Sequence, residues 1–429
     1  MKTSKSAGLI VAATAVLLAA SVAALYFSMG SEAAPPRGVL PGVDEIFVRE
    51  TPAPASQETE TAAPAPEPEP APPADARDPR LLARAEELLS GMTADEKIYQ
   101  MFFVTPESLT GYQRVYQAGR ATETALEKYP VGGIIYFEQN IDSPAQISDM
   151  LTKTLGWSKI PLFLGVDEEG GRVARISSQG AMGFDAVPPM AELGASGDTR
   201  GAYDAGVKIG QMLTALGFNM DFAPVADVLA NPENTEIGDR SFGSDAALVA
   251  AMTQSFTEGL RGAGIASALK HFPGQGGAES GTHDGPVGSA RTIDELRGTE
   301  FLPFSAGIGA GADFVLVSHL SATGVDASGE PSSLSRDITT GLLREELGFG
   351  NIIITDSLSM GAVTQSHTDE EATVLAVLAG ADMLLMPRNL KNAADAVKSA
   401  VSSGEIAEGR IDESVLRILY VKLERGIIG

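Results

Sequence analysis

The sequence predicts an α/β fold: a (β/α)8, TIM-type barrel in a single domain, preceded by an apolar N-terminal helix and a disordered linker. Three observations predict it. Eight short apolar runs recur between residues 101 and 387, each continuous rather than alternating, as parallel strands buried on both faces require. Amphipathic stretches or long loops separate the runs, and alternating strand and helix implies a parallel sheet. Charged residues gather at the carboxyl ends of the runs, where ligands sit in barrels and open α/β sheets alike. An open doubly wound sheet shares this alternation and is the alternative.

The elements follow in chain order. From Ser6 to Ser31 no residue is charged, and Ala7 to Phe27 is about long enough to cross a bilayer as a helix. Lys2 and Lys5 precede this run, which places the N-terminus in the cytoplasm by the positive-inside rule. We expect an uncleaved signal anchor over residues 1–30, because YFSMGSE is a poor cleavage site; a cleaved signal peptide is the alternative. Both export the remainder, so the expected location is extracytoplasmic, anchored to the membrane by the helix or secreted if it is cleaved. Residues 31–78 are rich in Pro, Ala and Glu and hold few large apolar side chains. They are expected to form an extended, acidic, solvated tether.

The domain is expected over 79–429. A helix starts near Arg80, and Thr93 with Glu96 three residues on can form a capping box for a second. The predicted strands are MFFV (101–104), VGGIIYFE (131–138), PLFLGVD (161–167), FNMDFAPV (218–225), IASALKHF (265–272), FVLVSHL (314–320), NIIITD (351–356) and ADMLLMP (381–387). SPAQISDMLTKTLG and RGAYDAGVKIGQMLTALG are typical of the amphipathic segments between them. Composition removes several function classes. Lys plus Arg is 31 against 56 for Asp plus Glu, a net charge of −25, which argues against coating nucleic-acid phosphates. The absence of cysteine excludes disulfides, thiolate zinc sites and Cys nucleophiles.

The strand ends are heavily loaded. The third run closes in Asp167-Glu168-Glu169, with Arg172 close behind; the fourth contains Asp221 and leads to Asp227. The fifth ends in Lys270-His271, the sixth in Ser318-His319 and the seventh in Asp356. Three of the four histidines, His271, His283 and His319, follow two consecutive strands. Charged groups are not placed on buried strand ends for packing, so these residues read as the rim of an active site.

At these positions the sequence resembles glycoside hydrolase family 3, specifically its single-barrel β-N-acetylhexosaminidase branch. The matching segments are GVDEEGGRVAR (165–175), DFAPVADV (221–228), IGDRSFG (237–243), KHFPGQG (270–276) and TDSLSMGA (355–362), with GMTADEKIYQM (91–101) resembling the family's opening. The chain ends after the eighth unit, without the second domain of the β-glucosidase branch, which also points to the hexosaminidase branch. The resemblance implies a retaining exo-glycosidase with Asp356 as nucleophile and His283, on a Gly-rich loop, as general acid/base. It implies that Asp167, Arg175, Arg240, Lys270 and His271 hold the sugar, and that His319 stands behind them. On the residues alone Asp356 could instead cap a helix. Arg172 and Glu169 could form a structural ion pair, and His367 reads as a solvated surface residue.

One departure bears on the chemistry. The branch normally carries an Asp two residues before the loop histidine, to orient it; here the triplet is Gly281-Thr282-His283. Glu279 and Asp284 are the candidate replacements. Three other readings remain beside the hydrolase. One is a phosphorylase of the same family. Another is a membrane-tethered carbohydrate-binding protein that has lost catalysis. The third is a metal-dependent hydrolase using His271, His283, His319 and Asp356, against which strand one, MFFV, offers no ligand. We expect no cofactor, no metal and no nucleic-acid partner. We expect a monomer acting on N-acetylglucosamine-containing oligosaccharides, from peptidoglycan or chitin-like chains.

Overall fold

The computed structural model describes residues 77–429 apart from Ser280 and Asp284. The expected signal helix over 1–30 and all but the last two residues of the expected linker lie outside the described residues. Among those described, no helix is long and apolar enough to cross a membrane. Residues 77 and 78, assigned above to the linker, already belong to the fold. The Arg77 guanidinium lies 5.1 Å from the Tyr420 ring centroid, and Asp78 accepts a 2.8 Å hydrogen bond from Arg80 N to cap helix α1 (Pro79–Ser90). Pro79 suits that first turn because its missing N–H would have been unpaired there. The capping box forms at α2 (Ala94–Gln100): Glu96 N donates to Thr93 Oγ1 at 3.2 Å, and Thr93 N donates to Glu96 Oε2 at 2.8 Å.

All eight apolar runs contribute a strand. They are β1 (Phe102–Val104), β2 (Gly133–Tyr136), β3 (Phe163–Val166), β4 (Met220–Asp221), β5 (Ala266–Phe272), β6 (Phe314–Val317), β7 (Ile352–Thr355) and β8 (Leu384–Leu385). Each pairs in parallel with its sequence neighbour from β1 to β7, and β1 also pairs with β8, Phe102 facing Leu384. The last gap is closed by a bridge between Ile354 and Met383, flanked by Asp382 N to Ile353 O at 2.7 Å and Thr355 N to Met383 O at 3.1 Å. The sheet therefore closes on itself, and the open doubly wound alternative is corrected.

The outer ring is α3 (Arg120–Lys128), α4 (Pro144–Trp157), α5 (Thr199–Leu216), α6 (Ala246–Gly262), α7 (Phe301–Gly309), a π-helix (Asp337–Glu346), α8 (Asp369–Ala379), α9 (Leu390–Ser403) and α10 (Glu408–Glu424). Every strand is shorter than its run, and β4 and β8 are the shortest, at two residues each. Beyond Asp221 the fourth strand still accepts from β5, Ala268 N to Ala223 O at 3.0 Å and Lys270 N to Pro224 O at 3.2 Å, but Pro224 has no N–H to return, and the next bridge is Val225 opposite Lys270. After β8, Met386 adopts a left-handed backbone (φ 49°) that turns the chain away.

The barrel interior is filled from both ends. Phe103 meets Phe222 edge to face (5.2 Å, 73°), and Phe163 meets Phe314 likewise (4.9 Å, 80°); all four are buried. Room for the Phe103 ring comes from glycine on the neighbouring strand, since a Cβ on Gly133 would fall 2.5 Å from Phe103 Cε2. At the amino end, the fully buried Asp382 gathers four donors. They are Arg344 Nη2 at 2.5 Å, Ser414 Oγ at 2.8 Å, Ile353 N at 3.0 Å and Arg417 Nη1 at 3.1 Å. Burial alone would raise this carboxyl; Arg344, Arg417 and Arg410 reverse that and hold it below its ordinary value. This cluster ties β7, β8, the π-helix and α10 together at the closing seam, and so fixes the opposite, carboxyl ends of the strands.

Candidate active site

A cavity of about 500 Å³ opens at those carboxyl ends. Its walls carry Asp167, Glu169, Arg172 and Arg175 from the segment after β3, Glu236 and Arg240 from the loop after β4, Lys270 and His271 from β5, and Asp356 from the end of β7. Thr282 and His283 reach it from the loop after β5. Ile135, Phe137, Phe222, Leu316, Leu385 and Met386 supply apolar surface. Every residue predicted to bind sugar or do chemistry thus lines one cavity, apart from His319 behind it, Glu279, and Asp284, which lies outside the described residues.

The charges are interlocked. Lys270 Nζ lies 2.8 Å from Asp167 Oδ1 and 2.6 Å from Glu169 Oε1. Arg240 grips Glu169 with two bonds, Nε to Oε2 at 2.8 Å and Nη2 to Oε1 at 2.9 Å, the fork geometry that makes such pairs strong. Burial would raise Glu169, but Lys270 and Arg240 hold it well below the usual carboxylate range. The possible Arg172–Glu169 pair is corrected: Arg172 turns instead to Asp239 (2.7 Å) and to the carbonyls of Thr235 and Glu236. His271 Nδ1 lies 2.7 Å from Asp227 Oδ2, so Nδ1 carries the proton, since a carboxylate only accepts. Asp227 Oδ1 also accepts from Gln275 N at 2.6 Å. Arg175 stays comparatively free, 3.8 Å from Asp167 with its buried Nε unpartnered among the described residues.

Asp356 stands at the end of β7, where its N donates to Val317 O at 2.8 Å and its Oδ1 accepts from Ser357 N at 2.7 Å. Burial would raise this carboxyl, yet the nearby His319, His271 and His283 together bring it below its ordinary value. His319 is fully buried behind it. Its Nε2 lies 2.8 Å from Ser357 O and its Nδ1 2.7 Å from Ser333 Oγ. A carbonyl only accepts, so Nε2 bears the proton, and burial keeps the ring's pKa low. The ring holds the carbonyl of Ser357, the residue that follows Asp356.

His283 is held by a residue the sequence did not single out. Its Nε2 lies 2.8 Å from Glu236 Oε1, and its backbone carbonyl accepts from Gly361 N at 2.9 Å. The Glu236 bond raises the imidazole pKa above its ordinary value and correspondingly lowers that of Glu236. Glu279 is exposed, and no described bond joins it to His283. His367 is corrected as well. It is not a solvated surface residue but a largely covered one, its Nε2 3.1 Å from Glu330. Among the described residues no three His, Asp or Glu side chains are grouped to hold a metal ion.

Carboxylates, imidazoles and paired cations converge on one cavity at the carboxyl end of a closed parallel barrel, which is where barrel enzymes place their active sites. The chain belongs to glycoside hydrolase family 3. The sequence profile described as "Glycosyl hydrolase family 3 N terminal domain" matches residues 93–421. Beta-hexosaminidase LpqI of Mycobacterium tuberculosis is 34% identical over 311 residues, 70% of this chain and 78% of the relative. Beta-hexosaminidase A of Pseudoalteromonas piscicida is 32% identical over 326 residues, 69% of this chain, which spans only 54% of that relative's length. Among solved structures, a glycoside hydrolase family 3 beta-N-acetylglucosaminidase from Paenibacillus sp. superposes with a TM-score of 0.74 at 36% identity, covering 79% of this chain and 64% of that one.

Proposed function

We propose that this protein is a retaining exo-glycosidase that removes terminal β-linked N-acetylglucosamine. The observation that carries the reading is a pair of titratable groups in one cavity pushed in opposite directions: Asp356 below and His283 above their ordinary values. Such a split assigns the ionised group as nucleophile and the protonated one as acid. Protonated His283 gives its proton to the glycosidic oxygen while Asp356 attacks the anomeric carbon, and the aglycone leaves as a neutral alcohol. Neutral His283 then takes a proton from water, the hydroxide oxygen bonds to the anomeric carbon, and Asp356 is released as a carboxylate with the β configuration retained. Asp167, Lys270, Arg240, Arg175 and His271 hold the sugar through charge-assisted hydrogen bonds. The names of the relatives support N-acetylglucosamine as the sugar.

The substrates we propose are peptidoglycan fragments or chitin-like oligosaccharides met outside the cytoplasmic membrane. That part of the reading rests on the uncharged segment from Ser6 to Ser31. The test compares p-nitrophenyl β-N-acetylglucosaminide with the β-glucoside, for the wild type and for Asp356→Asn. Turnover of the acetylated sugar alone, abolished in the variant and with β-anomer product by NMR, is the expected result. Undiminished turnover by Asp356→Asn would overturn it.

A further inference from the structure

We propose that Glu236 is the positioning residue for His283, a carboxylate supplied from the loop after β4 in place of one at position 281. This rests on the reading of His283 as the acid/base. Two independent features of the geometry carry it. The Glu236 carboxylate already holds His283 Nε2 at 2.8 Å. It also occupies the space that a side chain at 281 would need: a Cβ on Gly281 would fall 2.6 Å from Glu236 Oε2 and 2.7 Å from its Cδ. The glycine and the glutamate therefore form a matched pair. Loss of a side chain at 281 opens the place that the other carboxylate takes.

Glu236 is well placed for this task because its own backbone is fixed. Its carbonyl accepts from Arg172 Nη2 at 2.6 Å and Arg240 Nη1 at 3.1 Å. The next residue, Ile237, donates to the buried Asn234 side chain at 3.0 Å, and Asn234 Nδ2 donates in turn to Gln275 O at 2.9 Å. The histidine loop is fixed from the other side, where Gly361 N donates to His283 O and Ala362 N to Thr282 O. Binding Nε2 leaves Nδ1 as the nitrogen that exchanges the proton with substrate. The other charged groups that act on His283 are Asp356, which favours its protonated form, and Arg240, which opposes it. His319, fully buried behind Asp356, also faces it. Asp284, its sequence neighbour, lies outside the described residues.

The test uses the full chain with Glu236→Gln, Glu236→Gly and the transplant Glu236→Gly/Gly281→Asp. On N,N′-diacetylchitobiose, whose leaving group needs a proton, Glu236→Gln is expected to lose about 10- to 1,000-fold in kcat/KM. Its basic limb should move to lower pH, since removing the carboxylate lowers the imidazole pKa. On a 2,4-dinitrophenyl glycoside, which leaves without a proton, the same variant should keep near-wild-type kcat/KM. The transplant should recover activity that Glu236→Gly loses. Independently of turnover, NMR titration should show a lower His283 pKa in Glu236→Gln than in the wild type. An unchanged His283 pKa, or equal losses on both substrates with no shift of the basic limb, overturns the proposal. Failure of Asp356→Asn to abolish turnover would instead overturn the glycosidase reading, and the titration would still decide the role of Glu236.

Discussion

Replacing Asp382 by Asn should be among the most destabilising single changes in the domain. The carboxylate is fully buried and faces Arg344, Arg410 and Arg417, whose side chains are only 17%, 20% and 20% exposed. Asparagine keeps the shape and one acceptor but removes the charge. Three covered guanidinium groups then repel one another with nothing between them. Removing one partner of a buried ion pair costs about 3–5 kcal/mol, a large share of the roughly 5–15 kcal/mol that holds a typical domain together. The assay is urea unfolding followed by the fluorescence of Trp157, the one tryptophan in the chain, which packs on the core from α4. The pH dependence gives a second check. The native carboxyl is held below its ordinary value, so its contribution is complete above about pH 4 and is lost as pH falls through the lower native pKa. The gap between wild type and variant should therefore close in acid. A loss below about 1 kcal/mol at pH 7 would refute the view that this cluster holds the seam.

Lys422 should impose a pH slope of the same sign in a higher window. Burial pushes its ammonium down to about 7, with Gln100 Oε1 at 2.8 Å as its hydrogen-bond partner. Between about pH 7 and the unfolded value of about 10.4, the unfolded chain binds a proton that the native one does not, so wild-type stability rises across that window. Lys422→Met should flatten this rise in unfolding midpoints measured at pH 7 and 9.5; parallel profiles would count against it. Gly133→Ala should cost about 1–3 kcal/mol by driving a methyl into the Phe103 ring. Adding Phe103→Leu should return part of that loss, so that in a thermal-unfolding double-mutant cycle the two changes cost less than their sum.

Much of the fold was legible because its signals are local or periodic. A parallel strand buried on both faces must be apolar throughout, and all eight runs yielded strands. The Thr93–Glu96 box is complete within four residues. Lys270, His271 and Asp356 were legible because the carboxyl end of a strand is a fixed address in this architecture. Contacts between loops were not. Arg172 and Arg240 are both near Glu169 along the chain or in space, and spacing alone could not say that Arg240 takes it while Arg172 turns to Asp239. The gap at Gly281 was visible, but its occupant comes from another loop, and no periodicity links Glu236 to His283. The partner of His367, Glu330, is equally remote in sequence. Pro224 did carry a readable signal, that the fourth strand would lack one ladder donor.

The placement of Glu236 also bears on whether water or phosphate receives the sugar. A histidine in place of a second carboxylate removes a negative charge from the acceptor side and so eases the approach of an anion. Glu236 restores one at 2.8 Å from that histidine. On the proposed mechanism, Asp356 is esterified and neutral in the glycosyl-enzyme and His283 has given up its proton, so the Glu236 carboxylate faces the incoming acceptor without its imidazolium partner, with Arg240 Nη1 4.0 Å away as the remaining counter-charge. At about 6 Å and an effective dielectric of about 20, one unit of like charge costs roughly 3 kcal/mol. That is about a 100-fold bias against a phosphate anion before screening by salt and by Arg240. Water meets no such barrier, so on the proposed mechanism the arrangement favours hydrolysis. Glu236→Gln should therefore shift partitioning toward N-acetylglucosamine 1-phosphate, by about 10-fold in moderate salt, when the sugar phosphate and free sugar formed in buffered phosphate are quantified together. An unchanged or falling phosphate share in the variant would show that the charge beside His283 does not select the acceptor.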